Sequence, residues 1–571
     1  MGLGRLMFRA LGKLVARPIR RRIAAFHEAT KRPAELQLGL LQEIIRDQVA
    51  TAYGRDHGFS SIQTIADFRR QIPINPYENL APYIQRMMNG EVDALVADPA
   101  VLMYALTSGT TAARKHIPIT KRYLDDFRRG WNIWGLTAMR EHPAIKLRPV
   151  MQLVGDPEEY RTRSGIPCGN LSGFTAQVQK RIIRILYSVP AITGKIKDST
   201  TRHYVALRFS VPRRVGLLSS ANPSTLIALA RIMDQEKESL IRDIADGTLN
   251  PKLDLPGAIR EQLTRKAKRN PELAAKLEAA VRRDGALLPS AVWPSNSILL
   301  GCWTGGSVGP YLRQLPKYYA DTPVRDIGLL ASEGRFTIPL NDFSPAGVLD
   351  ITTHFFEFIP EDEIDSPQPT VLGAHEVKEG AVYYILPTTR AGLYRYHISD
   401  LVRVTGFHNN TPLIEFLGKG NRFANLTGEK LSEHQVTKAM DHVARTVCQP
   451  VSAYSLAPCW DDAQPFYGLF IEESDVASAE LVRQFLDSLD ATLGEQNIEY
   501  AAKRESGRLG PVRLQIIPTG TWQKWDRDRL TKSGGSPEQY KHPCLIGDLN
   551  FRQTMSVVKE IAPREKIAVL V

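Results

Sequence analysis

Hydrophobic positions change their period several times along the chain. In residues 1–26, Leu3, Leu6, Met7, Leu11, Leu14, Val15 and Ile19 recur at roughly helical spacing among basic residues, which predicts a basic amphipathic helix. Residues 33–56 predict another helix, and a proline-punctuated segment, Phe68 to Tyr83, leads into a helix at Ile84–Gly90. The unbroken apolar run Val101-Leu-Met-Tyr-Ala-Leu106 predicts a buried strand. Helix and strand signals then alternate to about residue 240, the order expected of an α/β fold. Within that region Tyr204-Val-Ala-Leu-Arg-Phe and Val215-Gly-Leu-Leu predict strands, and Ser224–Ile244 predicts a helix capped by Ser224. Residues 257–283 read as a charged, solvated helical hairpin. Ile327 to Gly334 reads as an apolar strand, and Gly392 to Val404 as two strand pieces flanking Asp400.

The character changes at about residue 425. Glu433–Arg445 predicts a helix, Val451–Leu456 and Tyr467–Ile471 strands, Ala479–Leu493 a helix and Val512–Ile517 a strand. This order suits a small α+β domain. It ends in a predicted loop from Gly520 through the Ser533–Pro543 stretch, which carries Lys541.

With 571 residues the chain has room for several domains, and 43% hydrophobic and 23% charged residues are ordinary globular values. The net charge is +12, from 73 Lys and Arg against 61 Asp and Glu. Part of the excess is concentrated: Arg5, Arg9, Lys13, Arg17, Arg20, Arg21 and Arg22 meet no acid in the first 22 residues. Three readings of that helix stay open: packing on the body, an Arg-rich transit peptide, or contact with an anionic membrane surface. A nucleic-acid partner is not expected, since no basic face interleaved with aromatics is visible. The five cysteines form no CxxC pair, so neither a zinc site nor a disulfide framework is indicated, and a reducing, cytoplasmic setting is expected. No run of about 18 apolar residues suggests a transmembrane helix.

Candidate chemistry follows the first buried strand. Thr107-Ser-Gly-Thr-Thr-Ala-Ala-Arg-Lys115 sets four hydroxyls around Gly109 and then two cations. Exposed amides and hydroxyls in such a loop can cradle phosphates, and lysine or arginine neutralises their charge. The same composition also suits an ordinary turn. Gly305-Gly-Ser-Val-Gly309 fits the G-x-S-x-G pattern of a hydrolase nucleophile, with Ser307 as the nucleophile, but three fixed positions are a weak signal and a strand-to-helix turn near a ligand is the stronger reading. Glu333 and Asp400 stand at ends of strand-like runs, where a carboxylate holds Mg²⁺, binds a ribose hydroxyl or caps a turn.

Taken in order, five stretches resemble the auxin-responsive acyl acid amido synthetases of plants and their bacterial relatives, within the adenylate-forming superfamily. They are Thr107-Ser-Gly-Thr-Thr111 with Lys115, Leu330-Ala-Ser-Glu333, Tyr394-Arg-Tyr-His-Ile-Ser-Asp400, Leu426-Thr-Gly-Glu-Lys-Leu-Ser-Glu433 and Gln539-Tyr-Lys-His-Pro543. The resemblance implies an N-terminal domain at 27–424 with mixed sheets and helices, preceded by the 1–26 helix, and a small mobile α+β domain at 425–571. It implies that Ser108, Gly109, Thr110, Thr111 and Lys115 hold the ATP phosphates. Ala331 and Ser332 would lie on the adenine, Glu333 near Mg²⁺ and Asp400 on the ribose. Lys419 would take the place of an arginine expected about 19 residues after the aspartate. Lys541 would bridge the α-phosphate and the attacking carboxylate. The implied reaction joins a small carboxylic acid to an amino acid or other amine through acyl-AMP. Transfer to a thiol or alcohol, or hydrolysis through Ser307, are the alternatives. His354 and His397 flank the motifs, and Trp131, Trp134, Phe174, Trp293 and Trp303 suit either an apolar acid pocket or the core.

Overall fold

The computed structural model describes residues 21–563 except 98–100, 108–114, 365, 420–422, 425, 428, 430, 448–450, 462–463, 477, 506 and 534–539. The chain builds several sheets. Antiparallel Val101–Thr107 and Lys115–Thr120 form one with Pro167–Gly169 and Tyr160–Arg161. Val150–Gln152, Leu217–Ser219, Leu299–Gly301 and Val324–Arg325 form a parallel sheet in that order. A seven-stranded antiparallel sheet contains Phe355–Pro360, Val382–Thr388, Asp400–His408 and Thr411–Lys419. The last part of the chain builds a mixed sheet from Tyr454–Cys459, Phe466–Glu472, Arg513–Ile517 and Lys559–Ile561.

Burial follows the sheets. One core joins the first antiparallel sheet to the seven-stranded sheet, with Tyr104, Ile117, Phe356 and Tyr394 wholly inside. A second packs helices on the parallel sheet, and a third fills residues 424–561 around Leu456, Leu469 and Leu489. Phe26 is 3% exposed and lies in a cluster with Ile133 and Trp134, so the described end of the basic helix packs on the body. Residues 1–20 lie outside the described residues. Among the described residues no helix is long and apolar enough to cross a membrane. The described cysteines, Cys168, Cys302, Cys459 and Cys544, are all free thiols.

Several elements differ from the sequence expectations, each for a local reason. Tyr204–Phe209 is not a strand but part of the helix Ser199–Ser210, started by Asp198, whose carboxylate accepts the Thr201 N–H at 2.6 Å. Nearly every position of that helix is buried, which erases the amphipathic period. Residues 33–56 break into Pro33–Gln48 and Ala52–Asp56, because Thr51 caps a new start by accepting from Gly54 N. The third helix begins earlier, at Tyr77, and tolerates Pro82 to run to Met88. Ser224–Ile244 is two helices, Pro223–Gln235 and Lys237–Asp246, and the cap is Asn222 rather than Ser224. Ile327–Gly334 is a turn, closed by Ala331 N donating to Gly334 O at 2.8 Å. Only Asp400 onward is strand in the Gly392–Val404 stretch; the segment before it holds Arg395 and Ser399 at φ +44° and +63°. The strand expected at Val451 begins at Tyr454, and the loop expected from Gly520 is the helix Thr521–Ser533.

Candidate active site

The parallel sheet ends in loops that meet at one place, and ligands in such sheets bind at the carboxyl ends of the strands. After Val324–Arg325 the chain turns through Asp326, Ile327 and Gly328. Three side chains donate to their carbonyls in sequence: Trp134 Nε1 to Asp326 O at 2.7 Å, Arg335 Nη2 to Ile327 O at 2.6 Å and Trp303 Nε1 to Gly328 O at 3.0 Å. Asp326 itself accepts from Gly328 N at 2.5 Å, from Thr304 N at 2.6 Å and from Thr304 Oγ1 at 2.9 Å. Burial pushes its carboxyl up to about 6 despite those donors and the opposing charge of Lys541.

Lys541 reaches this place from the far end of the sequence. Its ammonium lies 4.5 Å from the Trp303 ring centre and 4.4 Å from that of Phe416, within cation–π range. The segment carrying it is held from both sides. Asn222 Nδ2 donates to Tyr540 O, and Cys544 N donates to the Glu433 carboxylate at 2.7 Å. The next residue, His542, is 4% exposed; its Nδ1 lies 2.8 Å from Asp526 and its Nε2 3.1 Å from Ser455 Oγ.

A second group of side chains gathers at the start of Lys115–Thr120. Lys115 Nζ donates to Tyr396 OH at 3.4 Å and lies 5.4 Å from the Tyr77 ring centre. Tyr77 OH accepts from His116 N at 2.8 Å. Glu333 is buried beside these rings. Burial first, and then the Glu333 charge, raises the hydroxyl pKa of Tyr123 and of Tyr396; burial again comes first for Tyr77, with Glu333 adding to it. Asp400 adds to the effect on Tyr396, so the two carboxylates and Lys115 share one tyrosine. Tyr123 OH donates to Ser332 O at 2.8 Å, tying the Ala331–Gly334 turn to the helix Lys121–Glu141.

The structure therefore brings Lys115, Ser332, Glu333 and Asp400 together and delivers Lys541 to the ends of the parallel strands. Ser108, Gly109, Thr110 and Thr111 lie outside the described residues. Lys419 stands directly opposite Asp400 in the antiparallel register, and only its backbone is described. The Ser307 side chain is likewise outside the described residues, but the glycines around it have packing reasons. A Cβ on Gly305 would meet Phe416 O at 3.0 Å, and one on Gly309 would meet the Asp441 carboxylate at 2.9 Å. Trp293 and Phe174 belong to the cores, with Trp293 Nε1 on Arg213 O, whereas Trp131, Trp134 and Trp303 ring the Asp326 loop. His354 is buried and its pKa falls to about 3, chiefly through burial and then through Arg129 and Arg390. His397 stacks on Tyr384 and touches Ser399. Sequence reasoning missed Asp326, Tyr77 and Tyr396. Tyr396 lies inside a motif already singled out, and Asp326 immediately precedes the apolar run Ile327-Gly-Leu-Leu-Ala331, so position alone was their signal.

Solved structures place this architecture. The GH3.15 acyl acid amido synthetase in complex with 2,4-DB superposes with a TM-score of 0.82 at 19% identity, covering 96% of this chain and 98% of the other. A 2-hydroxyisobutyryl-CoA ligase matches more loosely, at a TM-score of 0.50 and 12% identity over 91% of this chain and 90% of its own. The chain shares the fold of these two enzymes. Sequence narrows the class: residues 22–324, 347–419 and 434–550 match the N-terminal, central and C-terminal domains of the GH3 family. This chain belongs to the GH3 family. Its relatives include the jasmonoyl–L-amino acid synthetase JAR4 of Nicotiana attenuata, 25% identical over 93% of this chain and 94% of that protein. Another is the 4-substituted benzoates–glutamate ligase GH3.12 of Arabidopsis thaliana, 24% identical over 91% and 94%.

Proposed function

We infer that the chain is an acyl acid amido synthetase: it adenylates a small carboxylic acid with ATP and transfers the acyl group to an amino acid or other amine. The observation that carries this reading is the placement of Lys541 over Trp303, beside Asp326 and at the carboxyl ends of the parallel strands. A carboxylate has no adequate leaving group at neutral pH. Attack of one carboxylate oxygen on the α-phosphorus makes the acyl-AMP anhydride and expels pyrophosphate. Two anions must approach for that step, and the Lys541 ammonium offsets their repulsion without reorganising. An uncharged amine then attacks the acyl carbon, and AMP leaves.

In this reading Lys115 neutralises phosphate charge next to Ser108, Gly109, Thr110 and Thr111. Ala331 and Ser332 flank the adenine, while Asp400 and its cross-strand neighbour Lys419 serve the ribose. Among the described residues no cluster of three or more His, Cys, Asp or Glu forms a metal cage. Mg²⁺ takes one or two carboxylates and completes its shell with phosphates and water. Glu333 is the carboxylate that would hold it, and the ion would supply charge neutralisation on the leaving pyrophosphate. Residues 425–571, whose described part packs around its own core, act as the part that carries Lys541 in and out. The described end of the 1–26 segment, residues 21–26, packs on the body through buried Phe26.

The test is acid-dependent ATP–pyrophosphate exchange over a panel of carboxylic acids, with wild type and Lys541→Ala. Exchange with one class of acid, reduced about 10²–10³-fold in the variant, is expected. Absence of exchange with every acid would overturn the reading.

A further inference from the structure

Asn222 starts the helix Pro223–Gln235 and is 2% exposed. The two ends of its side-chain amide face different partners. Oδ1 accepts from Ser224 N at 3.0 Å, which caps the helix. That bond fixes which way the amide faces, because a flipped amide would set Nδ2 against the Ser224 N–H. Nδ2 takes no part in the cap, and it donates to Tyr540 O. The backbone around Asn222 is tied as well. Ser220 Oγ donates to Asn222 O at 3.2 Å, and Trp303 N donates to Ala221 O at 2.9 Å. The second of these bonds joins the loop after Leu217–Ser219 to the loop after its neighbouring strand, Leu299–Gly301. Two adjacent strand ends thereby hold two consecutive residues. Asn222 takes the carbonyl of Tyr540, and Trp303 takes the ammonium of Lys541, 4.5 Å from its ring centre.

The segment that meets them is stiffened from its other side. Asp526 Oδ1 accepts from Tyr540 OH at 2.7 Å and lies 2.8 Å from His542 Nδ1, so one carboxylate oxygen holds the residues before and after Lys541. Those contacts are made within residues 425–571 and travel with that part. The Asn222 bond reaches across instead, from the first part of the chain to the peptide that precedes Lys541. Trp303 and Phe416 grip only the charged end of a long side chain, and a cation over a ring is satisfied anywhere within about 6 Å of its centre. A hydrogen bond from a fixed amide to the adjacent carbonyl sets where that side chain starts. Adenylation brings two anions together, and an ammonium offsets their repulsion only from the right place. Aminolysis brings an uncharged amine to the acyl carbon and makes no such demand.

We propose that Asn222 is a positioning residue for the first half-reaction: its amide catches the peptide before Lys541 and sets that lysine for adenylation, while aminolysis of the acyl-AMP proceeds without it. This rests on the adenylation reading above. The experiment compares wild type with Asn222→Asp and Asn222→Ser. Aspartate and serine cap helices about as well as asparagine, so both variants keep the helix start. Asn222→Asp sets an acceptor against the Tyr540 carbonyl, whereas Asn222→Ser removes the donor without adding repulsion. ATP–pyrophosphate exchange, with the acid that serves wild type best, is expected to fall about 10- to 100-fold in Asn222→Asp and about 3- to 10-fold in Asn222→Ser. Single-turnover decay of enzyme-bound acyl-AMP, on adding a mixture of amino acids, keeps the wild-type rate in both. An asparagine that only caps its helix would give equal exchange in all three proteins. One that only fills space would make the near-isosteric Asn222→Asp the milder change. Either pattern overturns the proposal, and so does an equal loss in both half-reactions. Tryptic cleavage after Lys541, followed by mass, is a readout that needs no acid. It is expected to be faster in Asn222→Asp than in wild type, and equal rates overturn the proposal. No exchange with any acid refutes adenylation itself, and the cleavage rates then decide separately whether Asn222 holds Lys541.

Discussion

Arg395 donates from Nε to the carboxylate of Glu357 at 2.9 Å, with both side chains buried. The other oxygen of Glu357 takes Arg69 Nε, also at 2.9 Å, and Arg395 Nη1 donates to the carbonyls of Arg69 and Ile72. This cluster holds Arg395 at φ +44°, a conformation costly for a residue with a side chain, five residues before Asp400. Glu357→Ala leaves two guanidinium groups facing an empty position. It is expected to cost about 3–5 kcal/mol, read from denaturant unfolding. A loss below 1 kcal/mol would show that the loop is fixed by other contacts.

Gly334 is confined by its neighbours: a Cβ there would lie 2.7 Å from His354 Nε2 and 2.7 Å from Phe336 Cε1. Gly334→Ala is expected to destabilise by about 1–3 kcal/mol through overpacking, and to raise KM for ATP by moving Glu333. Equal stability and unchanged KM would mean that the turn has slack.

The two parts of the chain are linked by Arg313 Nη1 donating to Asp441 at 2.6 Å, between the helices Gly309–Tyr319 and Glu433–Thr446. Both side chains are about a third exposed, so the pair is screened. A double-mutant cycle with Arg313→Ala and Asp441→Ala should give a coupling of about 0.2–1 kcal/mol that shrinks in high salt. Zero coupling at low salt would remove this contact from the forces holding the two parts together.

One buried histidine, His354, and one half-buried, His434, predict acid sensitivity. His354 falls to about 3 and His434 to about 4, in both cases first through burial, then for His434 through Arg403 and Lys438. His434 Nε2 accepts from Arg403 Nη2 at 2.7 Å, which requires the neutral ring. Both values lie below that of an unfolded histidine near 6.5, so on acidification the unfolded chain binds protons first. Their contribution is present above pH about 6.5 and is lost as pH falls toward 4, at about 1.4 kcal/mol per pH unit for each group. Denaturant midpoints measured from pH 7 to 5 should decline, and less steeply in His434→Gln. A flat profile would contradict the neutral rings.

The candidate site residues were legible through the order of five motifs that resemble one family, not through any single residue, since a lone carboxylate or lysine has many other uses. Glu333, Asp400 and Lys541 were all named from motif and order alone, and the spacing from Asp400 to Lys419 becomes a direct cross-strand pair once the chain reverses at Asn409 and Asn410. Asp326 was not legible. Its importance comes from burial, from the Thr304 and Gly328 amides and from a lysine far along the chain.

The sequence by itself determined the alternation of helix and strand, the change of character near 425 and the order of the motifs. These rest on local periodicity and on chemistry confined to a few neighbouring residues. Only the tertiary structure decided that Ser199–Ser210 is a helix, since burial on all sides removes the period that would announce it. It alone decided that Gly305, Gly306 and Gly309 serve a crossing against Phe416 and Asp441, and that Lys541 lies on Trp303. Those facts depend on which distant segments pack together. Packing selects partners by shape and by burial of charge, which no short window of sequence contains.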